Sequence, residues 1–512
     1  MILRPYKIFS FLTFVILLQT QFAQKENSDS LTYINKIEVR NNGTIDSAIY
    51  EKYFQQLEGT DFIEENIELQ IRNILTYFEN NGYPFTSVKI QSLVFGTDSM
   101  QNNYIDIFII IENDVLQKIS KVIIEGNTKT SEKLIINEMR INKDEIYDQE
   151  KINNISINLN KLRFFEPVET PNYFVDNDNK GVLQLTVKEK NTNTFDGIIG
   201  YVPSQNEKEN AYLTGFVNII LRNLFGTGRA TSIRWKQENS LTQELDLKYL
   251  EPWLFDYPFN INLSFFQRKQ DSSYVKRIFG GALEFLATEN ISASLILESE
   301  STIPSVNENV QNNILNSSSL NSGLQVKIDY RDDIYSPTNG ILFGSTYKYR
   351  QKKINGSNNL NLSGNINYHN YELDFGGYYS FFENQVVSLD VHAKEIIGDY
   401  FDKSDYYQFG GTNSVRGYRE NQFLGNRIMW SNLEYRFLLS QRSYLFTFFD
   451  AGYYLLKSNL NEIAIRNEKY INGYGFGISL DTALGIMKVS YAFARGESLL
   501  NGFIHFGLVN DF

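Results

Sequence analysis

The sequence predicts two N-terminal α/β units followed by an antiparallel transmembrane β-barrel of about 16 strands. Three observations lead to this fold class. Residues 31–190 mix segments of helical spacing with alternating strand patterns, whereas the chain from about residue 195 shows strand patterns only. After residue 18, no apolar run reaches the roughly 20 residues that a membrane-spanning helix requires. If this chain lies in a membrane, it must therefore cross as a barrel, which leaves no strand edge facing lipid.

Composition excludes several classes of function. The 512 residues include no cysteine, and the formal net charge is -12. An acidic chain without clusters of lysine and arginine is unsuited to nucleic acid, so no nucleic-acid partner is expected. The absence of cysteine removes thiolate metal sites, disulfides and cysteine nucleophiles. The three histidines, His369, His392 and His505, lie far apart without ligand spacing, so we expect neither a metal site nor a cofactor.

The first 23 residues have the parts of a secretory signal peptide. Arg4 and Lys7 supply positive charge, residues 8–18 form an apolar segment, and Ala23 precedes a polar stretch. The apolar segment is too short to span a bilayer. We therefore expect residues 1–23 to be a signal peptide that is removed after Ala23, with a short N-terminal anchor as the alternative.

Two segments, residues 31–115 and 117–190, repeat the order β-α-α-β-β. In the first, Asp61 and Glu64 predict a capping box that opens a helix. Apolar residues at helical spacing follow this box, and two strands follow the helix. The second segment repeats this pattern with two helices, so the sequence predicts two α/β domains of similar topology.

Residues 195–512 are predicted to form the barrel. In residues 325–331, for example, apolar side chains alternate with polar or charged ones. A soluble sheet could show the same alternation, but strands of about 10 to 14 residues with aromatic residues near their ends favour lipid. Short and long connections alternate along the chain. If both termini are periplasmic, the short turns lie on the periplasmic side and the long loops face the exterior.

One long polar connection contains the segment Phe409-Gly-Gly-Thr-Asn-Ser-Val-Arg-Gly-Tyr418. Its arginine, Arg416, offers a rigid fork of donors that can clamp carboxylates through paired hydrogen bonds. Strand alternation places Glu434 and Asp450 on the lumen side of the two strands that follow. The alternative is that Arg416 faces water at the tip of the loop.

These segments together resemble the superfamily of BamA, TamA and the two-partner-secretion transporters. Val415-Arg-Gly-Tyr418 resembles the signature of the sixth extracellular loop of that superfamily, and the two α/β domains resemble its periplasmic POTRA domains. Five further segments match in order: Asn223-Leu-Phe-Gly-Thr-Gly-Arg229, Tyr249-Leu-Glu-Pro-Trp253, Tyr330-Arg-Asp-Asp333 with the turn to Gly340, Phe448-Phe-Asp-Ala-Gly452, and Gly473-Tyr-Gly-Phe-Gly477.

The resemblance implies two functional sites. The first is a loop clamp, in which the loop arginine meets acidic residues on the two following strands: Val415, Arg416, Gly417, Tyr418, Glu434 and Asp450. The second is a lateral seam, at which the last barrel strand pairs weakly with the first and leaves an edge open to an incoming strand: Gly197, Gly200, Phe506, Leu508 and Phe512.

The resemblance also implies a function, which is not enzymatic. A bacterial outer-membrane protein of this kind inserts or translocates client polypeptides, most often β-barrel proteins, through its seam and without nucleotide. Its expected partners are outer-membrane lipid, unfolded clients held by the POTRA domains, and periplasmic or lipoprotein accessory factors. A two-partner-secretion translocator is the main alternative, followed by a passive porin and a lipid-handling role.

Overall fold

The computed structural model describes the chain from residue 32 to residue 509, with ten internal gaps. The described ranges are 32–41, 47–112, 115–203, 211–271, 273–305, 314–334, 336–355, 364–458, 465–482, 485–497 and 501–509. The predicted signal peptide lies outside them. The described residues form two compact units, one within residues 1–122, 142–153 and 172–183 and the other within residues 123–141, 154–171 and 184–512.

The first α/β domain has the predicted order of elements, with a 3-10 turn at Gln55–Leu57 between its helices. The elements are β1 (Tyr33–Asn41), α1 (Ser47–Phe54), α2 (Glu64–Glu79), β2 (Ser87–Thr97) and β3 (Asn103–Glu112). The sheet order is β1-β3-β2, with β1 parallel and β2 antiparallel to β3. Alternate isoleucines of β3, from Ile105 to Ile111, are fully buried with Ile74 and Phe78 of α2. The core of this domain therefore lies between one sheet face and the helices.

Helix α2 begins differently from the prediction. Its N-cap residue is Ile63, and no side chain caps its first turn, so the predicted capping box is wrong. Asp61 instead forms an isolated antiparallel bridge with Tyr33, and the amide of Phe62 donates to the carbonyl of Thr32 at 2.7 Å. Backbone pairing with the start of β1 thus holds this segment extended, so that Asp61 lies before the cap position.

The second α/β domain contains five strands and two helices. They are β4 (Lys118–Ile119), β5 (Lys121–Glu125), α3 (Glu132–Met139), β6 (Glu145–Ile146), α4 (Gln149–Leu162), β7 (Asn172–Val175) and β8 (Gly181–Thr186). The main sheet has the order β5-β8-β7, and β4 pairs with β6. The hydroxyl of Ser131 caps α3 by accepting from the amide of Leu134 at 3.3 Å. Among the described residues, no helix is both long and apolar enough to cross a membrane.

In the part of residues 194–509 that the structure describes, 16 strands form one antiparallel sheet, which confirms the predicted number. In chain order the strands are β9 (Thr194–Val202), β10 (Tyr212–Leu224), β11 (Arg229–Gln237), β12 (Gln243–Glu251), β13 (Phe259–Gln270), β14 (Tyr274–Leu286), β15 (Ile291–Pro304), β16 (Ser317–Asp329), β17 (Gly340–Ile354), β18 (Asn365–Phe382), β19 (Gln385–Ile397), β22 (Arg427–Leu438), β23 (Tyr444–Ser458), β24 (Ile465–Thr482), β25 (Gly485–Ala494) and β26 (Phe503–Val509). Each strand pairs with its neighbours in this order, and β9 and β26 are the two edges of the sheet. A 3-10 turn, Leu254–Asp256, lies in the connection between β12 and β13. Strands β20 (Tyr407–Phe409) and β21 (Phe423–Gly425) form a separate two-stranded sheet between β19 and β22.

The two faces of this sheet differ in polarity. Leu295 of β15 and Leu324 of β16 are paired across strands, and their side chains remain 59% and 57% exposed. On the opposite face, Glu300, Arg350 and Glu434 are buried. A soluble sheet would bury its apolar face, whereas a membrane barrel presents that face to lipid and keeps polar groups inside. The arrangement is that of a transmembrane barrel.

Candidate functional site

The connection between β19 and β22, residues 398–426, folds into the interior of the barrel, and we call it the lumen loop. It contains a short hairpin of β20 (Tyr407–Phe409) and β21 (Phe423–Gly425). Phe409 is buried against Trp430 of β22 and Tyr454 of β23. The lumen loop is therefore packed onto inward-facing side chains of the barrel wall.

Arg416 lies deep in this interior and meets both predicted carboxylates. Its Nε and Nη2 atoms donate to Oδ2 and Oδ1 of Asp450 at 2.8 and 2.7 Å, and its Nη1 donates to Oε1 of Glu434 at 2.7 Å. The Arg416 amide also donates to Oδ2 of Asp450 at 2.9 Å. Arg416 is 4% exposed and Asp450 is fully buried. The arginine consequently does not face water, and one loop residue binds two adjacent strands.

Glu434 is shared by three cations. Besides Arg416, it accepts from Nε of Arg436 at 3.0 Å and from Nζ of Lys488 at 2.7 Å. Arg436 lies two residues along β22 on the same face, where alternation predicts it. Lys488 comes from β25, and no local pattern in the sequence associates it with β22, because only the pairing of several strands brings the two together.

Aromatic rings and a side-chain amide complete the surroundings of the guanidinium. The Cζ atom of Arg416 lies 3.5 Å from the ring centre of Phe448 and 5.7 Å from that of Phe446. A cation over a ring face in a site without water gains about 2 kcal/mol. Nδ2 of Asn432 donates to Oδ1 of Asp450 at 2.8 Å, which orients that carboxylate. The segment Phe448-Phe-Asp-Ala-Gly452 therefore directs alternate residues at the arginine.

Glycines allow the loop backbone to approach the wall. A Cβ atom at Gly473 of β24 would lie 1.9 Å from the carbonyl oxygen of Arg416, so no other residue fits there without moving the loop. Gly417 has a φ of +89°, and a Cβ atom there would lie 2.6 Å from the backbone of Phe493. These contacts explain why glycines occur in two segments far apart in the sequence.

The other residues of the motif reach the end of the sheet. The hydroxyl of Tyr418 donates to the carbonyl of Asn472 at 3.1 Å, and the amide of Gly417 donates to Nε2 of His505 at 3.0 Å. Val415 is completely buried. His505 belongs to β26, so the clamp also contacts the last strand of the sheet. The sequence alone indicated no role for His505, because it lacks the spacing to other histidines that is typical of metal ligands.

The predicted seam residues lie on the two edge strands, as far as the structure describes them. A Cβ atom at Gly197 would lie 2.6 Å from the carbonyl oxygen of Phe216, and one at Gly200 would lie 3.1 Å from the methyl group of Thr214. Both glycines thus allow β9 to lie close against β10. Phe506 is exposed on β26, and Leu508 belongs to the same strand. Phe512 lies outside the described residues.

A second set of contacts, which the sequence did not indicate, joins the second α/β domain to the first turn of the barrel. Glu189 accepts from the hydroxyl of Thr128 at 2.6 Å and from the amides of Lys129 and Thr130 at 3.0 and 2.6 Å. The hydroxyl of Thr130 in turn accepts from Nδ2 of Asn223 at 2.8 Å. Burial acts to raise the pKa of Glu189, but these hydrogen bonds outweigh it and lower the pKa to about 2.

The segment Tyr249-Leu-Glu-Pro-Trp253 contributes to the same junction. The indole Nε1 of Trp253 donates to Oε1 of Glu138 in α3 at 2.8 Å. Burial raises the pKa of Glu138, because its carboxylate has lost most of its water. Within this segment Glu251 accepts two hydrogen bonds from Arg229, at 2.7 and 2.8 Å. The turn and the helix are thus connected by polar contacts from several elements.

A 16-stranded sheet with an apolar outer face and an ion-paired loop inside defines an outer-membrane β-barrel protein. Comparison with known families agrees with this class. Residues 223–512 match the Omp85 superfamily domain, and residues 117–190 match the POTRA family, described as a surface antigen variable number repeat. Because the first match spans more than half of the chain, the protein belongs to the Omp85 superfamily.

Two relatives share sequence with the chain, and both are outer membrane protein assembly factors named BamA. The protein of Nitratidesulfovibrio vulgaris is 28% identical over 159 residues, which are 31% of this chain and 19% of that protein. The protein of Neorickettsia risticii is 22% identical over 432 residues, which are 79% of this chain and 55% of that protein. The matched segments therefore cover 19% of the first relative and 55% of the second, less than two thirds of either protein.

Solved structures with the same fold include BamA from Haemophilus ducreyi lacking POTRA domains 1-3, with a TM-score of 0.51 and 17% identity. The match covers 93% of this chain and 98% of the other. CdiB from Escherichia coli has a TM-score of 0.54 and 10% identity, and the match covers 94% and 91% of the two chains. The family and the barrel place this protein in the bacterial outer membrane, with its POTRA domains in the periplasm.

Replacing Arg416 with glutamine should lower the free energy of unfolding by about 3–5 kcal/mol, because two buried carboxylates lose their main partner. Asp450→Asn should act similarly, and the double variant should cost less than the sum of the two because the residues are in contact. Urea unfolding in detergent micelles, followed by tryptophan fluorescence, measures these changes.

The matched control is Arg427→Gln, because Arg427 forms a partly exposed pair with Glu395 on β19. Such a pair contributes about 0–1 kcal/mol, so this variant should unfold nearly like the parent. Strictly additive costs for the Arg416 and Asp450 variants would contradict the clamp.

Gly473→Ala should displace the lumen loop, because the new methyl group would overlap the backbone of Arg416. Limited trypsin digestion of the folded protein should then cleave after Arg416, which the parent protects. Gly344→Ala is the control, because the nearest atom to its Cβ position is a side-chain carbon at 3.6 Å, an ordinary contact. Equal protection in both variants would show that the close approach is unimportant.

Glu189→Gln should loosen the turn of residues 128–130. The folded-state pKa of Glu189 is lowered, so its stabilisation is present above the unfolded value of 4.5 and is lost as the pH falls towards 2. Amide exchange measured by mass spectrometry at pH 7 should be faster in this turn in the variant. Glu166→Gln removes an exposed pair with Lys188 and should leave exchange unchanged. Equal exchange for both variants would contradict this role.

Proposed function

We propose that this protein is an outer-membrane assembly factor that inserts or translocates client polypeptides at the seam between β9 and β26, without nucleotide. The observation that carries the proposal is the strand order of the sheet, in which these two strands are the edges. In the part of the chain that the structure describes, β9 pairs with β10 and β26 with β25, and neither pairs with the other. An edge strand offers unpaired backbone donors and acceptors to another strand.

Edge β9 presents large apolar side chains beside this backbone. Phe195, Ile198 and Tyr201 are 69%, 71% and 68% exposed. A client strand that pairs with β9 would cover them and would satisfy its own backbone at the same time. The combination of hydrogen bonds along an edge and apolar side chains beside it is the physical basis of β-augmentation.

The described part of edge β26 is short. Within it, β26 pairs with β25 at seven positions, between Ile486↔Val509 and Ala492↔Phe503, whereas the described residues of β23 and β24 pair at fifteen. Fewer ladder hydrogen bonds hold β26 to the sheet, so less free energy opposes its displacement by a client strand. Insertion needs no nucleotide, because a strand in lipid satisfies its backbone only when it is paired.

The POTRA region offers a place for clients to bind before insertion. Strand β7 is at an edge of its sheet. A cavity of about 830 Å³ beside it is lined by apolar side chains that include Phe85, Leu116, Tyr173 and Phe174. We propose that an unfolded client adds to this edge and places apolar side chains in the cavity. Periplasmic or lipoprotein accessory factors and outer-membrane lipid are the further partners that we propose.

Secretion by a two-partner mechanism is the second candidate, because the sequence motifs resemble those of the two-partner-secretion transporters as well as those of BamA and TamA. In that case the client would pass through the barrel, leave it at the cell surface and not remain in the membrane. Insertion and secretion therefore differ in where the client ends, and an assay with a barrel client distinguishes them.

Purified protein in liposomes should accelerate the folding of an unfolded β-barrel client, measured as the form that resists unfolding in cold SDS. Empty liposomes provide the baseline rate. Arg416→Gln should slow this acceleration, because the lumen loop contacts β26 through Gly417 and His505. Arg427→Gln, on the outer surface, should leave the rate of client folding unchanged.

If the client folds no faster than in empty liposomes, the proposed insertase activity is contradicted. Protease-protected client in the liposome lumen, with none in the membrane, would instead support secretion. A large steady conductance without any client would favour a porin.

A further inference from the structure

A second cluster of buried charges holds the lumen loop, at residues that the clamp does not include. Nζ of Lys352 in β17 lies 2.7 Å from Oδ2 of Asp402 and 2.8 Å from Oδ2 of Asp405. Nη2 of Arg350 in the same strand also donates to Asp405. We call these four residues the second anchor. Lys352, Asp402 and Asp405 are all at most 4% exposed.

The loop segment of the second anchor is organised by its own hydrogen bonds. Oδ1 of Asp402 accepts from the amide of Ser404 at 2.8 Å and from its hydroxyl at 2.5 Å. Oδ2 of Asp405 accepts from the amide of Asp402 at 3.0 Å. Residues 402–405 therefore form a turn that directs both carboxylates to β17, and these hydrogen bonds do not include Arg416.

The wall beside the turn balances its charge. Nζ of Lys276 in β14 donates to the carbonyl of Ser404 at 3.1 Å and pairs with Glu300 of β15 at 2.9 Å. Glu300 also lies 3.3 Å from Arg350. Three cations and three carboxylates thus meet in one buried cluster, and removing a single member leaves an unpaired charge away from water.

Apolar packing supports the same site. The hydroxyl of Tyr368 in β18 donates to the carbonyl of Tyr400 at 2.6 Å, and its ring lies 5.0 Å from the guanidinium of Arg350. Tyr368, Tyr400 and Phe401 are buried together with Ile366 and Ile396. The first part of the lumen loop is therefore bound to the wall by charge and by apolar contact.

The second anchor and the clamp use different parts of the barrel. The second anchor and the groups around it involve β14, β15, β17 and β18, whereas the clamp involves β22 to β26. The two sites share no residue, and the hairpin of β20 and β21 connects them along the loop. Sites without common partners contribute to stability nearly independently.

We propose that the second anchor holds the lumen loop inside the barrel when the Arg416 clamp opens. The loop is attached to two separate parts of the barrel wall. Release of Arg416 therefore frees the loop residues near β26, while residues 402–405 stay in place. This inference rests on the proposed function in one respect: an open clamp then alters the seam while the barrel interior remains occupied by the loop. Clients would pass beside the lumen loop and not through the space that it fills.

The natural absence of cysteine allows a direct test by thiol labelling. Ser404→Cys reports on the second anchor and Ser414→Cys on the clamp, since both serines are buried in the folded chain. Each reporter is combined with Arg416→Gln or with the charge-neutral pair Lys352→Met and Asp402→Asn. The full-length protein in liposomes is then treated with a maleimide that does not cross membranes, and single-channel conductance is recorded in parallel.

Arg416→Gln should expose residue 414 and leave residue 404 protected. The double variant Lys352→Met with Asp402→Asn should expose residue 404 and leave residue 414 protected. In each case, labelling at the released site should increase by about a hundredfold, because loss of a buried ion pair strongly favours local opening. Only the combination of all three substitutions should expose both sites and raise the conductance. Lys353→Met is the control, because Lys353 is exposed on the opposite face of β17 and should change neither reporter.

Two results would overturn the proposal. Exposure of both reporters by Arg416→Gln alone would show that the loop has one anchor. Continued protection of residue 404 in the Lys352 and Asp402 pair would show that these charges do not hold it. Each variant is first checked for the heat-dependent gel shift of a folded barrel, and Arg350→Gln with Asp405→Asn replaces the first pair if that pair does not fold. These measurements use no client, so they stand apart from the insertase assay.

Discussion

A guanidinium in the interior of a barrel requires carboxylates, and the position of Arg416 between Glu434 and Asp450 organises much of this molecule. The loop must enter the lumen for the pairing to form, and β22 and β23 must be adjacent for both carboxylates to face one point. Arg436 and Lys488 then balance Glu434. An ion pair in this setting contributes chiefly by specifying one arrangement, since its desolvation offsets much of its Coulomb energy.

The close approach of the loop backbone to the barrel wall is a second constraint, in addition to the ion pairs. The carbonyl of Arg416 lies where a side chain at Gly473 would be, so the wall must lack a Cβ atom at that point. The same loop reaches His505 on the last strand. The state of the loop and the state of the edge strand are therefore linked through direct contacts, which gives the proposed seam a physical connection to the lumen.

The proposed seam follows from a different constraint. A fully closed barrel pairs every strand on both sides, whereas among the described residues β9 and β26 each pair with one neighbour only. Such an edge would be a liability in water. In an assembly factor it becomes the proposed site of client insertion, because the client supplies the missing strand.

The sequence alone determined the class of fold, the number of strands and the candidate partners of Arg416. Alternation separates the two faces of a strand and so places Glu434 and Asp450 on the lumen side, and the family resemblance implies that the loop arginine meets them. The length of residues 195–512 indicates the number of strands. The capping box at Asp61 was wrong because backbone pairing with β1 extended that segment. Lys488, His505, Glu189 and the pairing of Lys352 with Asp402 were decided by tertiary structure. They meet partners 50 to 88 residues away, or 59 to 61 residues away for Glu189, and pattern in a single strand carries no information about which distant strand or loop it will face.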